Sequence, residues 1–141
     1  MTCDRNLIQT SVIVIVIVMP MERKNTNATL DTVIISTTRM RELAEFYKLG
    51  LQLQEPKPQG DNHLGFQLPE IYLGFDKVDE NQFIHPGAVS LWFRVDNIEE
   101  TFGRFKDMGA KVKYPPTKKP WGDTLAAVFD PDGNIVGLAQ R

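Results

Sequence analysis

From residue 30 onward the chain runs through one order of elements twice, and this internal repeat limits its fold more than any other feature. LDTVIIST reads as a strand. RMRELAEFYKLG reads as a helix with Met40, Leu43, Phe46 and Tyr47 on one face and Gly50 as its stop. LQLQEP is a short strand ended by prolines, and HLGFQL and IYLGFDKV are two more, joined by a turn at Pro69-Glu70. The second pass begins with the strand AVSLWFRV. Asp96 or Asn97 then caps a helix, IEETFGRFKDMG, whose apolar face is Ile98, Phe102, Phe105 and Met108 and whose end is Gly109. AKVKYPP is again a short strand ended by prolines. TLAAVF, the DPDG turn and NIVGLAQ form a hairpin. Thr32 aligns with Ser90 at an offset of 58, Gly50 with Gly109 at 59, and Gly74 with Gly137 at 63.

Each unit is therefore βαβββ. One such unit covers a single face of its sheet with its helix and leaves the other face needing a partner, which a second unit supplies. The expected architecture is α+β: two βαβββ modules forming a concave, partly open mixed sheet around a central cavity. The modules span about 29–79 and 86–141 within one domain of residues 29–141. Strand alternation assigns the faces. Val33 and Ile35 face the helix, and Thr32, Ile34 and Ser36 the concave side. Leu91, Phe93 and Val95 face the helix, and Ser90, Trp92 and Arg94 the cavity. Val136 and Leu138 face the helix, while Ile135, Gly137 and Ala139 face the cavity, as do Tyr72, Gly74 and Asp76 from the first unit.

A chain of 141 residues with 42% hydrophobic content can bury a core of useful size in one domain. The net charge of −2, with Lys and Arg scattered, points to no nucleic-acid partner, and the one basic pair, Lys118-Lys119, reads as solvated in a Pro-rich loop. Cys3 is the single cysteine, so no disulfide closes within the chain, which fits a reducing cytoplasm. Ahead of the repeat, residues 1–28 form an N-terminal tail containing SVIVIVIVMP. Its eight apolar residues fall short of the ~20 a membrane helix needs, and no small-x-small cleavage site follows closely. Three readings stay open: an extra strand pairing with another subunit, a disordered tail, or a true start at Met19 or Met21. No membrane partner is expected.

The order of elements, with FDPDGN near the C-terminus, resembles the vicinal oxygen chelate superfamily, which includes glyoxalase I, extradiol dioxygenases and bleomycin resistance proteins. TVIISTTRMRELAEFYKLGLQL, VSLWFRVDNIEETFGRFKDMGAKV and PWGDTLAAVFDPDGNIVGLAQ carry the likeness, which covers residues 30–141. The resemblance implies a cavity in which enzymes of the group hold a divalent metal through His and Glu, or Gln, on the first and last strands of each unit. Here the first-strand places are Thr32 and Ser90, and the last-strand places are Gly74 and Gly137. Hydroxyls and glycines do not replace imidazole and carboxylate on a divalent metal. No metal and no cofactor are expected, and the glycines are read as leaving space where something approaches closely.

The remaining candidates are side chains for a ligand pocket. Trp92 sits on the cavity face two residues from Ser90, and Trp121 lies on the loop entering the seventh strand, where relatives often carry a Trp near the pocket mouth. Tyr72 adds to the wall. Arg94 points inward and is free to pair with an anionic ligand, to reach solvent or to pair with Asp123. Phe66 and Phe129 read as core. His63 and His85 read as surface histidines. Asp130, Pro131, Asp132, Gly133 and Asn134 build a tight turn and do no chemistry. No nucleophile elbow, phosphate loop or Cys–His pair is present. The expected function is metal-free binding of an aromatic or amphipathic small organic molecule, with no catalytic residue. The expected ligand-binding residues are Trp92, Trp121, Tyr72 and Arg94, over a floor of Thr32, Ser90, Gly74 and Gly137. A homodimer is expected, as in many relatives of the family. The alternative is a metal-dependent lyase or dioxygenase with a displaced site drawn from His63, His85, Glu70 and Asp76.

Overall fold

The computed structural model describes residues 28–141; the SVIVIVIVMP stretch lies outside the described residues. The first module contains β1 (Thr32–Thr37), α1 (Met40–Leu51), β2 (Lys57–Pro58), β3 (His63–Gln67) and β4 (Tyr72–Lys77). The second contains β5 (Leu91–Val95), α2 (Ile98–Asp107), β6 (Lys111–Lys118), β7 (Thr124–Phe129) and β8 (Ile135–Gln140). The strands form two four-stranded mixed sheets, ordered β1-β4-β3-β2 and β5-β8-β7-β6. In both sheets the first strand runs parallel to the last, and the other pairs are antiparallel. The expected α+β architecture of two βαβββ modules is present, and the assembly is open.

Alternation sets which face each sheet buries. In β1 and β5 the residues at Val33, Ile35, Leu91, Phe93 and Val95 are partly covered, while Thr32, Ile34, Ser36, Trp92 and Arg94 are exposed. The covered faces and the apolar faces of both helices share one core built on Leu43, Tyr47, Phe75, Phe105, Val128, Val136 and Leu138, all fully buried. Tyr47 joins the modules: its ring lies 5.5 Å from that of Phe75 and 6.3 Å from that of Phe93.

Three local expectations change. Gly50 does not stop α1, which continues to Leu51 and closes on Gln52 in the left-handed region at φ 55. Gly50 is needed for packing instead, because a Cβ there would lie 2.1 Å from Phe105 Cε1. Arg104 Nε also donates to the Gly50 carbonyl at 3.1 Å. LQLQEP is not a strand; β2 is the two residues after it. The strand expected to end at Pro115-Pro116 runs through them, because β6 is an edge strand whose register shifts on either side of Tyr114. Asn97, rather than Asp96, caps α2, its side chain accepting from the Glu100 N–H at 3.1 Å.

The DPDG turn fastens the second module to the first. Asp130 is buried, and its carboxylate accepts four hydrogen bonds: from the Asp132 and Asn134 N–H groups, the Asn134 side chain and the Tyr47 hydroxyl, the last at 2.8 Å. Asp132 accepts from Thr37 at 2.5 Å and pairs with Arg39 at 3.0 Å. Burial, with Asp130 beside it, pushes the Tyr47 phenol far above its ordinary value. No helix of the described residues is long and apolar enough to cross a membrane.

Candidate functional site

The inner faces, turned away from the helices, carry the candidate residues, and each sheet repeats one motif. On the second sheet Trp92 pairs with Gly137, which pairs with Ala127. On the first, Ile34 pairs with Gly74, which pairs with Gly65. A side chain on the first strand thus stands beside a row of very small residues in both modules. Ile34 and Trp92 are the equivalent positions of the repeat, and about half of each is exposed, 49% and 46%.

Trp92 uses the room at Gly137. A Cβ at Gly137 would fall 2.1 Å from Trp92 Cδ2 and 2.2 Å from Cε3, so the indole rests directly on the glycine backbone. Trp92 Nε1–H donates to Ser90 Oγ at 2.9 Å, which fixes the ring's orientation. Gly137 and Ala127 are buried beneath it. The result is an aromatic plate lying against the sheet and still half open to solvent, a surface on which a planar ligand can stack. The space read at Gly137 is therefore occupied by this chain's own indole.

Gly74 is covered in the same way. A Cβ there would lie 2.7 Å from His63 Cε1 and 2.9 Å from Tyr72 Cε2. The two rings are nearly parallel, at 16°, and are hydrogen-bonded through His63 Nε2 and Tyr72 Oη at 2.8 Å. His63 Nδ1 meets Asp76 Oδ1 at 2.5 Å. His63 is thus a half-buried member of a polar cluster, not a surface histidine. Burial, then Asp76, raises the Tyr72 phenol above its ordinary value.

The other candidates disperse. Thr32 opens β1, exposed, with its hydroxyl on Asp31 at 2.8 Å. Arg94 donates to the Gln140 carbonyl at 3.3 Å, rather than pairing with Asp123, and lines a small polar recess with Asn97, Arg104 and Arg141. Trp121 is 68% exposed in the turn held by Lys119 and Asp123, at the Arg94 end of the sheet but two strands away. Tyr72 lines a groove of about 510 Å³ together with residues of the loop after α1. Ile34 and Ser36 line another of about 430 Å³, against the linker residues Phe83, His85 and Val89. A further groove, about 570 Å³, lies off the inner faces, against the structural turn at Asp130 and Pro131. Of the eight residues expected to line one cavity, Trp121 stands in a turn and the others lie along two separate sheets.

The residues do not fit a metal at the superfamily's positions. Thr32 and Ser90 offer hydroxyls, and Gly74 and Gly137 offer nothing. Among the described residues no group of three or more His, Cys, Asp or Glu side chains is placed to hold a metal. His63 and Asp76 are engaged with each other, and His85 packs edge-on against Phe83 with ring centres 4.3 Å apart.

Comparisons with known proteins agree with this architecture. The profile of the Glyoxalase/Bleomycin resistance protein/Dioxygenase superfamily matches residues 29–138. A bleomycin resistance protein from Klebsiella pneumoniae is 37% identical to the matching part, which is 42% of this chain and 57% of that protein. The chain thus spans little more than half of that curated relative. Among solved structures, a glyoxalase-related enzyme from Fulvimarina pelagi superposes with a TM-score of 0.68 at 20% identity, over 80% of this chain and 88% of that one. A glyoxalase/bleomycin resistance protein/dioxygenase family enzyme from Burkholderia phytofirmans PsJN gives 0.70 at 17%, over 80% and 98%. Lactoylglutathione lyase from Agrobacterium tumefaciens gives 0.64 at 17%, over 83% and 96%. At these identities the structural matches speak for the fold.

Proposed function

Since this chain belongs to the glyoxalase/bleomycin resistance protein/dioxygenase superfamily, we propose that it binds an aromatic or amphipathic small organic molecule on its inner sheet faces without a metal. The observation that carries this reading is Trp92, held flat on Gly137 by its bond to Ser90 and left half exposed. A plate of this kind gives stacking area at little entropic cost, because the ring is already fixed before a ligand arrives. Ile34, the equivalent residue of the first module, supplies an apolar wall. Tyr72 offers a polar contact and Arg94, at the sheet end, a cation for an anionic group. Sequestration needs no more than such contacts, so no bond need break.

The chain acts as a homodimer in this reading. Among the described residues β1 pairs only with β4 and β5 only with β8, so each sheet has an uncovered first-strand edge. Phe83 and Val89 lie exposed near these edges, apolar surface that a second copy would cover. A cytoplasmic location fits the single cysteine.

The test is tryptophan-selective fluorescence of the Trp121→Phe protein, in which Trp92 is the one remaining tryptophan. A panel of flat aromatic and amphipathic compounds, metal-free bleomycin among them, is titrated in the presence of a chelator. Saturable quenching that disappears in Trp92→Ala, followed there by calorimetry, supports the reading. Calorimetric binding that persists unchanged in Trp92→Ala removes Trp92 from the site and defeats it.

A further inference from the structure

His63 and Asp76 have no part in that binding surface, yet they join Tyr72 in one continuous chain of hydrogen bonds. Asp76 Oδ1 lies 2.5 Å from His63 Nδ1, and His63 Nε2 lies 2.8 Å from Tyr72 Oη. A carboxylate accepts, so Nδ1–H donates to Asp76 and leaves the Nε2 lone pair to accept the Tyr72 O–H. The sequence is that of an orienting carboxylate, a base and a hydroxyl.

The sheet is built around this chain. In the β3–β4 hairpin His63 falls opposite Asp76, and Gly65 opposite Gly74. A Cβ on Gly65 would come within 2.3 Å of Tyr72 Oη, and one on Gly74 within 2.7 Å of the imidazole. Both glycines are needed for the rings to lie down and meet. The Tyr72 end opens onto the groove of about 510 Å³, whose other walls include Lys57, Gln59 and Gln67.

We propose that Asp76, His63 and Tyr72 form a base-activated hydroxyl that attacks the carbonyl carbon of a small carboxylic ester held in this groove. The Tyr72 Oη–carbon bond forms as the phenolic proton passes to His63 Nε2. The tetrahedral intermediate collapses, the ester C–O bond breaks, and the leaving alcohol takes that proton. Water, deprotonated by the same imidazole, then attacks the tyrosyl ester; the Oη–carbon bond breaks, the imidazolium returns the proton to the departing Tyr72 oxygen, and the acid is released. Ester and water become acid and alcohol, with no change of oxidation state. Lys57 and the Gln59 amide, on the groove's walls, are the donors available to the developing oxyanion. A phenol is protonated at neutral pH, so the step depends on His63 as its base.

An arylsulfonyl fluoride traps the same first step as a stable adduct: the S–O bond forms, fluoride leaves, and the proton goes to His63. Labelling of the full chain is followed by peptide mass mapping, with Tyr114 as the internal control. The expected result is faster sulfonylation at Tyr72 than at Tyr114, a loss of about a hundredfold at Tyr72 in His63→Gln, and an unchanged rate at Tyr114. p-Nitrophenyl acetate hydrolysis is expected to fall in parallel in His63→Gln and Tyr72→Phe. Wild-type Tyr72 labelling no faster than Tyr114, a comparison that needs no variant, overturns the proposal. So does a Tyr72 rate that His63→Gln leaves intact.

Discussion

Replacing Gly137 with Ala tests whether that glycine exists to seat an indole. The new Cβ would stand 2.1 Å from Trp92 Cδ2, inside any real carbon–carbon contact, so the ring must leave the sheet. Trp92 is 46% exposed, so roughly half of its ~200 Å² is covered, about 100 Å². At ~25 cal/mol per Å² that contact is worth about 2.5 kcal/mol if lost entirely. Partial re-packing of the ring returns some of it, and the exposed Ser90 bond adds under ~1 kcal/mol. The expected destabilisation is about 1–3 kcal/mol, in the range of overpacking substitutions generally. Gly103 is the matched control, because a Cβ there meets nothing within 4 Å and the residue lies inside α2. Gly103→Ala should stabilise by roughly 0.5–1 kcal/mol through helix propensity. Urea unfolding of both variants in the Trp121→Phe background gives the two free energies, and Trp92 emission reports the ring's surroundings. Gly137→Ala should unfold at lower urea with emission shifted to the red. Equal stability to the parent with unshifted emission would refute the seating argument, because it would mean that Trp92 does not rest on Gly137.

Other substitutions probe the rest of the frame. Tyr47→Phe removes one of four donors from the buried Asp130 carboxylate and should cost about 1.5–3 kcal/mol in urea unfolding at neutral pH. Because the folded Tyr47 phenol is raised, the unfolded chain loses that proton first, so wild-type stability is undiminished by this group below about pH 10 and falls above it. Tyr47→Phe should lack that part of the decline, up to ~1.4 kcal/mol per pH unit, measured as the wild-type minus variant difference between about pH 9 and about pH 11. Gly50→Ala drives a methyl into the buried Phe105 ring and should cost about 1–3 kcal/mol or more, read from the same unfolding curves. Gly74→Ala should break the His63–Tyr72 contact while keeping the fold, seen as changed imidazole resonances of His63 in nuclear magnetic resonance spectra with unchanged far-ultraviolet circular dichroism.

Much of this was legible in local pattern, and what was not depended on distant partners. The turn chemistry of Asp130 to Asn134 and the apolar runs TVIIST and LWFRV located β1, β5, β7 and β8, and the alternation of side chains along any strand gave the inner faces of β1, β5 and β8. Gly50 looked like a helix stop because glycine so often is one. Its real constraint is Phe105 from the other module, which no local signal contains. Gly74 and Gly137 showed only that a side chain was missing. What fills the room comes across the sheet, from Trp92 on β5 and from His63 on β3. The His63 cluster was within reach, since Tyr72, Gly74 and Asp76 were assigned to the inner face and a turn was placed at Pro69-Glu70. Carrying that turn back along the hairpin sets His63 opposite Asp76. Trp121 was grouped with Trp92 by family likeness, while strand order separates them.

Metal content tests the central claim most directly. The protein, purified without a histidine tag, is exposed in turn to Zn²⁺, Ni²⁺, Mn²⁺ and Fe²⁺ under anaerobic conditions, desalted and counted for metal per chain by mass spectrometry. With Thr32, Ser90, Gly74 and Gly137 at the positions where the superfamily's enzymes bind metal, the result expected is metal far below stoichiometry for every ion. Near one metal per chain for any of them would contradict a metal-free binding protein.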